Sequence, residues 1–587
     1  MGWFIYLLAL IGAISLIALI IVATIGFSTA RARNRISGNT ILEIDFGNGL
    51  VETNPAGFIN RFAGKGQLQI RDVVSSLEFA AKDRRIKGVI AHIGGGPFSY
   101  ADVQEIRNSV IRFKDSGKPA FAFAETFGEG TQGNTAYYMA TAFDSIFIQP
   151  SGELALTGIL SQSQFLKGTL DKLDVGPEID AREEYKAARN QFTETKYTAA
   201  HREMAQSIIN SVREVFLSDI AEARGIDTAA FSKLIADGPF SAEDALKLNL
   251  VDALQYRDQV YNRIKESAGK KTRFLNLANY IKRIGIPRAS GKTIALIYGN
   301  GTITQGRSRV NPLTGETVMG AQTIAAAFRA AIKDKNVGAI VFRVNSPGGS
   351  YIGSDMIWRE TVRAKEAGKP LIVSMGSVAG SGGYFVSMSA DKIIAQPSTI
   401  TGSIGVVSGK FVTSGLYNKL GVTFDRVFTD LNATTYLSET SYTQEQWNYL
   451  QKTLDRTYKD FVTKVASGRN LTLENAYKIA KGRVYTGKVA LAIGLVDTLG
   501  GFPEAFALAK KMIGLREDKP VRIKRFPKQK TFWEQIFGKP PENSDDAEIY
   551  TDENMSIIDN GLLNRILEGL EMPALQNRLL LDTPIIR

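Results

Sequence analysis

The chain has 587 residues, a net charge of +12, no cysteine and two histidines. The missing cysteines exclude disulfides, thiolate metal sites and a cysteine nucleophile, and His92 and His201 form no metal-spaced pair. The positive balance comes without a basic block interleaved with aromatics, which argues against nucleic acid and for anionic lipid or plain solvation.

Residues Gly2 to Ala30 carry no charge, and Trp3 to Phe27 is almost wholly apolar. At a rise of about 1.5 Å per residue this run can span a bilayer. It exceeds the apolar core of a signal peptide, so a retained transmembrane anchor is expected over residues 3–27. Arg31, Arg33 and Arg35 follow it. The positive-inside rule would keep that flank in the cytoplasm, but a long following domain crosses regardless, so these residues leave orientation open.

Beyond the anchor the chain repeats itself. Lys82-Asp83 through Gly117-Lys118-Pro119 matches Lys333-Asp334 through Gly368-Lys369-Pro370, and Asp144 to Pro150 matches Asp391 to Pro397. Leu250-Val251-Asp252 matches Leu495-Val496-Asp497, and the spacing stays near 245 to 251 residues. That is too long for a solenoid unit and predicts two copies of one domain, over 40–290 and 293–515. In each copy β-rich runs alternate with helical patterns, which makes the fold class α/β. Met204, Ile208, Val212, Phe216 and Ile220 in the first copy, and Leu450, Leu454, Tyr458 and Val462 in the second, form four-residue stripes read as core-facing helices. Residues 521–587 read as a partly flexible extension, basic over Arg522 to Lys530, with a helical pattern over Ile557 to Leu581.

Three glycine-rich loops follow one another in the second copy. Asn345-Ser346-Pro347-Gly348-Gly349-Ser350 comes after the apolar run Gly338 to Phe342. Gly376 to Tyr384 comes after Pro370 to Met375, and Thr401-Gly402-Ser403-Ile404-Gly405 closes the set. Short β-branched runs ending in glycine predict strands that deliver loops to their carboxyl ends, where α/β sheets bind ligands. A serine among such glycines, here Ser381, can be a nucleophile facing free N–H groups.

The two copies differ where chemistry would sit. Gly133-Asn134-Thr135 aligns with Gly380-Ser381-Gly382, so the first copy lacks the serine. The first copy has Glu184-Tyr185-Lys186-Ala187, whereas the region around Leu431-Asn432-Ala433 in the second has no lysine. One copy holds a candidate base and the other a candidate nucleophile, as expected for one site formed where two domains meet.

On these motifs the chain resembles the long, two-domain form of signal peptide peptidase A, from the anchor to about Gly514. The resemblance implies two tandem Clp protease/crotonase-like β-β-α spiral domains behind a transmembrane helix. It implies a Ser/Lys-dyad serine endopeptidase with Ser381 as nucleophile, Lys186 as general base and Ser403 orienting the lysine. Gly349 then matches an oxyanion donor, and Gly382, beside the nucleophile, is a second candidate. Gly380 stands where relatives often have alanine, and Ala187 replaces the usual serine. The implied substrates are signal peptides left in the membrane, with small or apolar residues near the cut. The resemblance further implies a homotetramer in the inner membrane, single-pass, with extracytoplasmic (periplasmic) catalytic domains, and no metal or organic cofactor. A catalytically silent scaffold or a crotonase-like acyl-CoA enzyme on the same fold are the alternatives; only the peptidase explains the split serine and lysine.

Overall fold

The computed structural model describes residues 3, 36–53, 67–96, 98–284, 291–311, 316–527, 575–579 and 585–586. The anchor expected over 3–27 lies, apart from Trp3, outside them; among the described residues no helix is long and apolar enough to cross a membrane.

The fold is mixed α/β and is built twice. The first repeat contributes strands β1 (Thr40–Asp45), β2 (Ile86–His92), β3 (Ala120–Ala124), β4 (Ser145–Ile148), β5 (Gly176–Ala181), β6 (Ala253–Leu254) and β7 (Arg273–Asn276). Its longer helices include α1 (Ile70–Lys82), α2 (Tyr100–Lys114), α3 (Ala199–Arg224) and α4 (Arg257–Ala268). The second contributes β8 (Thr293–Asn300), β9 (Val337–Ser346), β10 (Leu371–Gly380), β11 (Lys392–Ala395), β12 (Val407–Val412), β13 (Thr498–Leu499) and β14 (Arg522–Phe526). Its helices include α5 (Ala321–Lys333), α6 (Tyr351–Glu366), α7 (Gly382–Phe385), α8 (Gln444–Gly468) and α9 (Phe502–Met512).

The first sheet runs β6-β4-β3-β2-β1-β7 and is parallel throughout. The second has the same path, β13-β11-β10-β9-β8-β14, also parallel. Side chains alternate across each strand. Ile294 and Leu296 of β8 therefore face the core shared with the first repeat, while Ala295 and Ile297 face the core under α5, α6 and α8. The shared core holds Val73, Leu77, Val103 and Ile106 of α1 and α2 together with Ala339, Val341, Ile372 and Phe502. The helices of the first repeat thus cover a face of the second sheet. Both four-residue stripes are buried, on α3 and α8.

Two expectations need correction. Arg522–Phe526 is not tail but the edge strand β14, paired with β8. Its charges made it read as a basic extension, and charged side chains are a common device for blunting a sheet edge. The helical pattern over 557–581 also fails where it is described: Leu575–Leu579 is a strand, called β15 here. It lies between two strand edges whose unpaired backbone groups are satisfied by an extended partner, and this outweighs local helical periodicity.

An ion cluster joins the repeats. Arg343 of β9 is fully buried; its Nη2 donates to Glu52 at 2.7 Å and to Glu105 at 2.8 Å, and its Nη1 donates to Ser374 at 2.9 Å. Glu105 also accepts from the Phe502 N–H at 2.7 Å. Burial holds both carboxyls above their ordinary range against the pull of the guanidinium. Removing one partner of such a group leaves buried charge uncompensated. Arg343→Ala is expected to cost about 3–5 kcal/mol, seen as a lower melting temperature of the full chain in detergent. A surface change such as Lys247→Ala should leave the melting temperature in place.

Candidate active site

The site forms where β5 of the first repeat pairs antiparallel with β12 of the second, from Gly176↔Val412 to Ala181↔Val407. The chain leaves β5 with the Arg182 N–H donating to Val406 O at 2.9 Å, then turns through Glu183 and Tyr185, whose N–H donates to Lys481 O at 3.2 Å. These contacts set Lys186 at the start of a short 3-10 turn and aim it into the second repeat.

There Lys186 Nζ lies 2.9 Å from Ser381 Oγ, 2.9 Å from Ser403 Oγ and 3.1 Å from Ser403 O. All three residues are buried. Among the described residues no ion pair holds the amine, and burial pulls its pKa down to about 7. A lysine that is half neutral near pH 7 can accept a proton, as an exposed one cannot. Ala187, Met204, Ile208, Ile400 and Val484 form an apolar cluster beside it.

Strand β10 runs on to Gly380, past the Pro370–Met375 run read from sequence, because its second half pairs with Ile400–Gly402. Ser381 follows immediately, with φ 53° and ψ −116°, at the N-terminus of α7. Ser403 is likewise held at φ 53°. Such angles are unfavourable for residues with a Cβ and persist only where surroundings impose them. The Ser381 N–H donates to Gly402 O at 2.8 Å, and the Ser403 N–H donates to Arg483 O at 2.7 Å.

The two candidate oxyanion glycines meet beside Ser381. A Cβ on Gly382 would fall 3.1 Å from Gly348 Cα and 3.2 Å from Gly349 N. Gly349 itself has φ 149°, and a Cβ there would strike Ile303 O at 2.2 Å. All five residues singled out in the sequence thus gather in one place: Ser381, Lys186, Ser403, Gly349 and Gly382. Strand β15 passes close by, antiparallel between Gly349–Ser350 and Val407–Gly409.

Sequence reading missed Gly482. With φ 71°, it packs so tightly on Lys186 that a Cβ would lie 2.6 Å from the Lys186 backbone nitrogen and 2.7 Å from its Cβ. Its signal, a glycine in Lys481-Gly482-Arg483, is indistinguishable from an ordinary turn. Gly482→Ala is expected to displace the Lys186 backbone and lower kcat about 10- to 100-fold. Steady-state peptide hydrolysis checks this, with Ser381 and Lys186 both still present.

The chain matches Peptidase family S49 over residues 112–271 and 363–516. It is 34% identical over 464 residues to Protease 4 of Salmonella typhi, covering 76% of this chain and 72% of that one. Protease 4 of Haemophilus influenzae is 30% identical over 536 residues, covering 86% and 80% of the two chains. The chloroplastic serine protease SPPA of Arabidopsis thaliana is 30% identical over 452 residues, covering 76% and 66%. Two matched segments, one in each repeat, together with these relatives along most of the chain, establish that this protein belongs to Peptidase family S49 and is a serine protease.

Proposed function

We propose that the protein is a membrane-anchored endopeptidase that degrades signal peptides, with Ser381 as nucleophile and Lys186 as general base. The observation that carries this reading is the buried amine 2.9 Å from the serine oxygen with no acid to hold it protonated. In the acylation step Lys186 Nζ takes the Ser381 proton as Oγ bonds to the scissile carbonyl carbon. The N–H groups of Gly349 and Gly382 stabilise the resulting oxyanion. Lys186 then hands its proton to the leaving amine; water, deprotonated by Lys186, attacks the acyl carbon, and Ser381 Oγ leaves and takes that proton back. Ser403 Oγ and O fix the amine in place. The position of β15 supports an extended peptide as ligand, since the slot between β12 and Gly349–Ser350 accepts a backbone strand.

The finer architecture follows the same reading: each repeat is a Clp protease/crotonase-like spiral unit, residues 3–27 anchor the chain in the inner membrane, and the protein is a homotetramer. The catalytic domains face the extracytoplasmic side, where cleaved signal peptides are left, despite Arg31, Arg33 and Arg35. Protease added to intact spheroplasts should digest the catalytic region; its full protection would reverse the orientation.

The dyad makes two linked demands. A serine-directed acylating inhibitor should label Ser381 in the wild type and fail in Lys186→Ala, as read by mass spectrometry; labelling of both would remove the lysine from the mechanism. The neutral amine is the reactive form, so kcat/KM should rise with pH while Lys186 loses its proton and level off above about 7. A rate still climbing towards pH 10 would mean an undepressed lysine.

A further inference from the structure

The two repeats differ at β5. In the first, the helix Lys167–Leu173 ends in Asp174 at φ 60°, and the Val175 N–H donates to Leu170 O at 2.9 Å. Strand β5 begins at Gly176 and pairs along its whole length with β12. In the second, 247 residues on (421 − 174 = 247), the helix Ser414–Lys419 is followed by Gly421 at φ 73°, and the Val422 N–H donates to Tyr417 O at 2.9 Å. The next six residues, Thr423–Phe428, stand in the place of β5. Among the described residues they join no sheet, and Phe424, Val427 and Phe428 are exposed, Val427 completely.

The edge that such a strand would need also exists, on the other repeat. By the same spacing the counterpart of β12 is Leu160–Phe165. Strand β12 has a partner on both sides, β5 and the tail strand β15. Its counterpart is paired, among the described residues, only at Ser161–Gln162, with the tail residues Ile585–Ile586. A separate surface repeats the pattern. Ala101 and Glu105 of α2 are buried, and α2 packs on β10 of the second repeat. Their counterparts on α6, Ile352 and Met356, are 49% and 37% exposed.

We propose that Thr423–Phe428 of one copy adds as an antiparallel strand to Leu160–Phe165 of a second copy, continuing between chains the contact that β5 and β12 make within one. The outer face of α6 then meets the next copy as α2 meets the second sheet. This inference rests on the oligomeric reading above. The contact is heterologous, so it propagates head to tail until a ring closes. Its register is inherited from β5 and β12, where Val407 faces Ala181, Gly409 faces Ile179 and Phe411 faces Pro177. Leu160 should therefore face Phe428, Gln162 should face Arg426, and Gln164 should face Phe424. At every such junction Asn134 and Ala433 occupy the places of Ser381 and Lys186, so the junctions between copies are catalytically silent.

The cysteine-free chain makes the register directly measurable. Full-length Gln162→Cys and Arg426→Cys chains carrying different affinity tags would be co-expressed, purified in detergent and mildly oxidised. Gln164→Cys with Phe424→Cys forms a second in-register pair, and Gln162→Cys with Leu420→Cys an out-of-register control. The expected result is a disulfide-linked dimer bearing both tags for the two in-register pairs and not for the control. Light scattering on the wild type separates the possible failures. A monomer would overturn the oligomeric reading and this interface together. An oligomer without in-register cross-links, or with equal linking in the control, would overturn this interface alone.

Discussion

The meeting of the candidate dyad residues depends on one strand pairing, that of β5 with β12. It is the contact through which a lysine from the first repeat reaches a serine in the second, 195 residues away in sequence. Because the lysine follows the last paired residue by only five positions, the ladder fixes its approach within narrow limits. Gly405 and Gly482 then leave room for it, the first with its Cβ position 3.2 Å from Lys186 Cδ. A lysine presented this way is held by backbone hydrogen bonds, which suits the proposed proton transfer, since such a reaction tolerates little misplacement.

The chemistry of the pair depends in turn on dryness. A carboxylate beside Lys186 would favour its charged form, whereas burial pulls its pKa down. The repeats meet elsewhere through charge. Arg343, Glu52 and Glu105 put one cation against two carboxyls in the same interface, where pairing and hydrogen bonds offset the cost of desolvation. The contrast is physical: the same burial that weakens a lone ammonium is tolerated by a guanidinium with two acceptors.

Backbone strain is found at both candidate serines. Ser381 and Ser403 share a positive φ, and each has its N–H held by a carbonyl of a neighbouring segment, Gly402 and Arg483. Residues in such conformations cost on the order of 1–3 kcal/mol each. Here the parallel sheet beneath and the antiparallel pairing of Ile400–Gly402 with Val484–Thr486 supply the rigidity that keeps them there.

The resemblance to signal peptide peptidase A pointed to Ser403 and Gly349, and a place beside Ser381 to Gly382, whereas the sequence by itself determined the repeat and the α/β class and singled out Ser381 and Lys186 as candidates. These are carried by local signals: a spacing that recurs, apolar runs ending in glycine, and a lysine or serine present in one copy and absent from the other. Two local signals misled. The alternating charges of Arg522–Phe526 looked like a tail because an edge strand exposes much of its surface, and the periodicity of Ile557 to Leu581 gave way at Leu575–Leu579 to pairing with distant strands. Only the tertiary structure decided that β5 crosses to the other repeat, that Arg343 finds two glutamates, and that Gly482 makes way for Lys186. Those outcomes depend on residues far apart in the chain becoming neighbours, and on how much water is left between them.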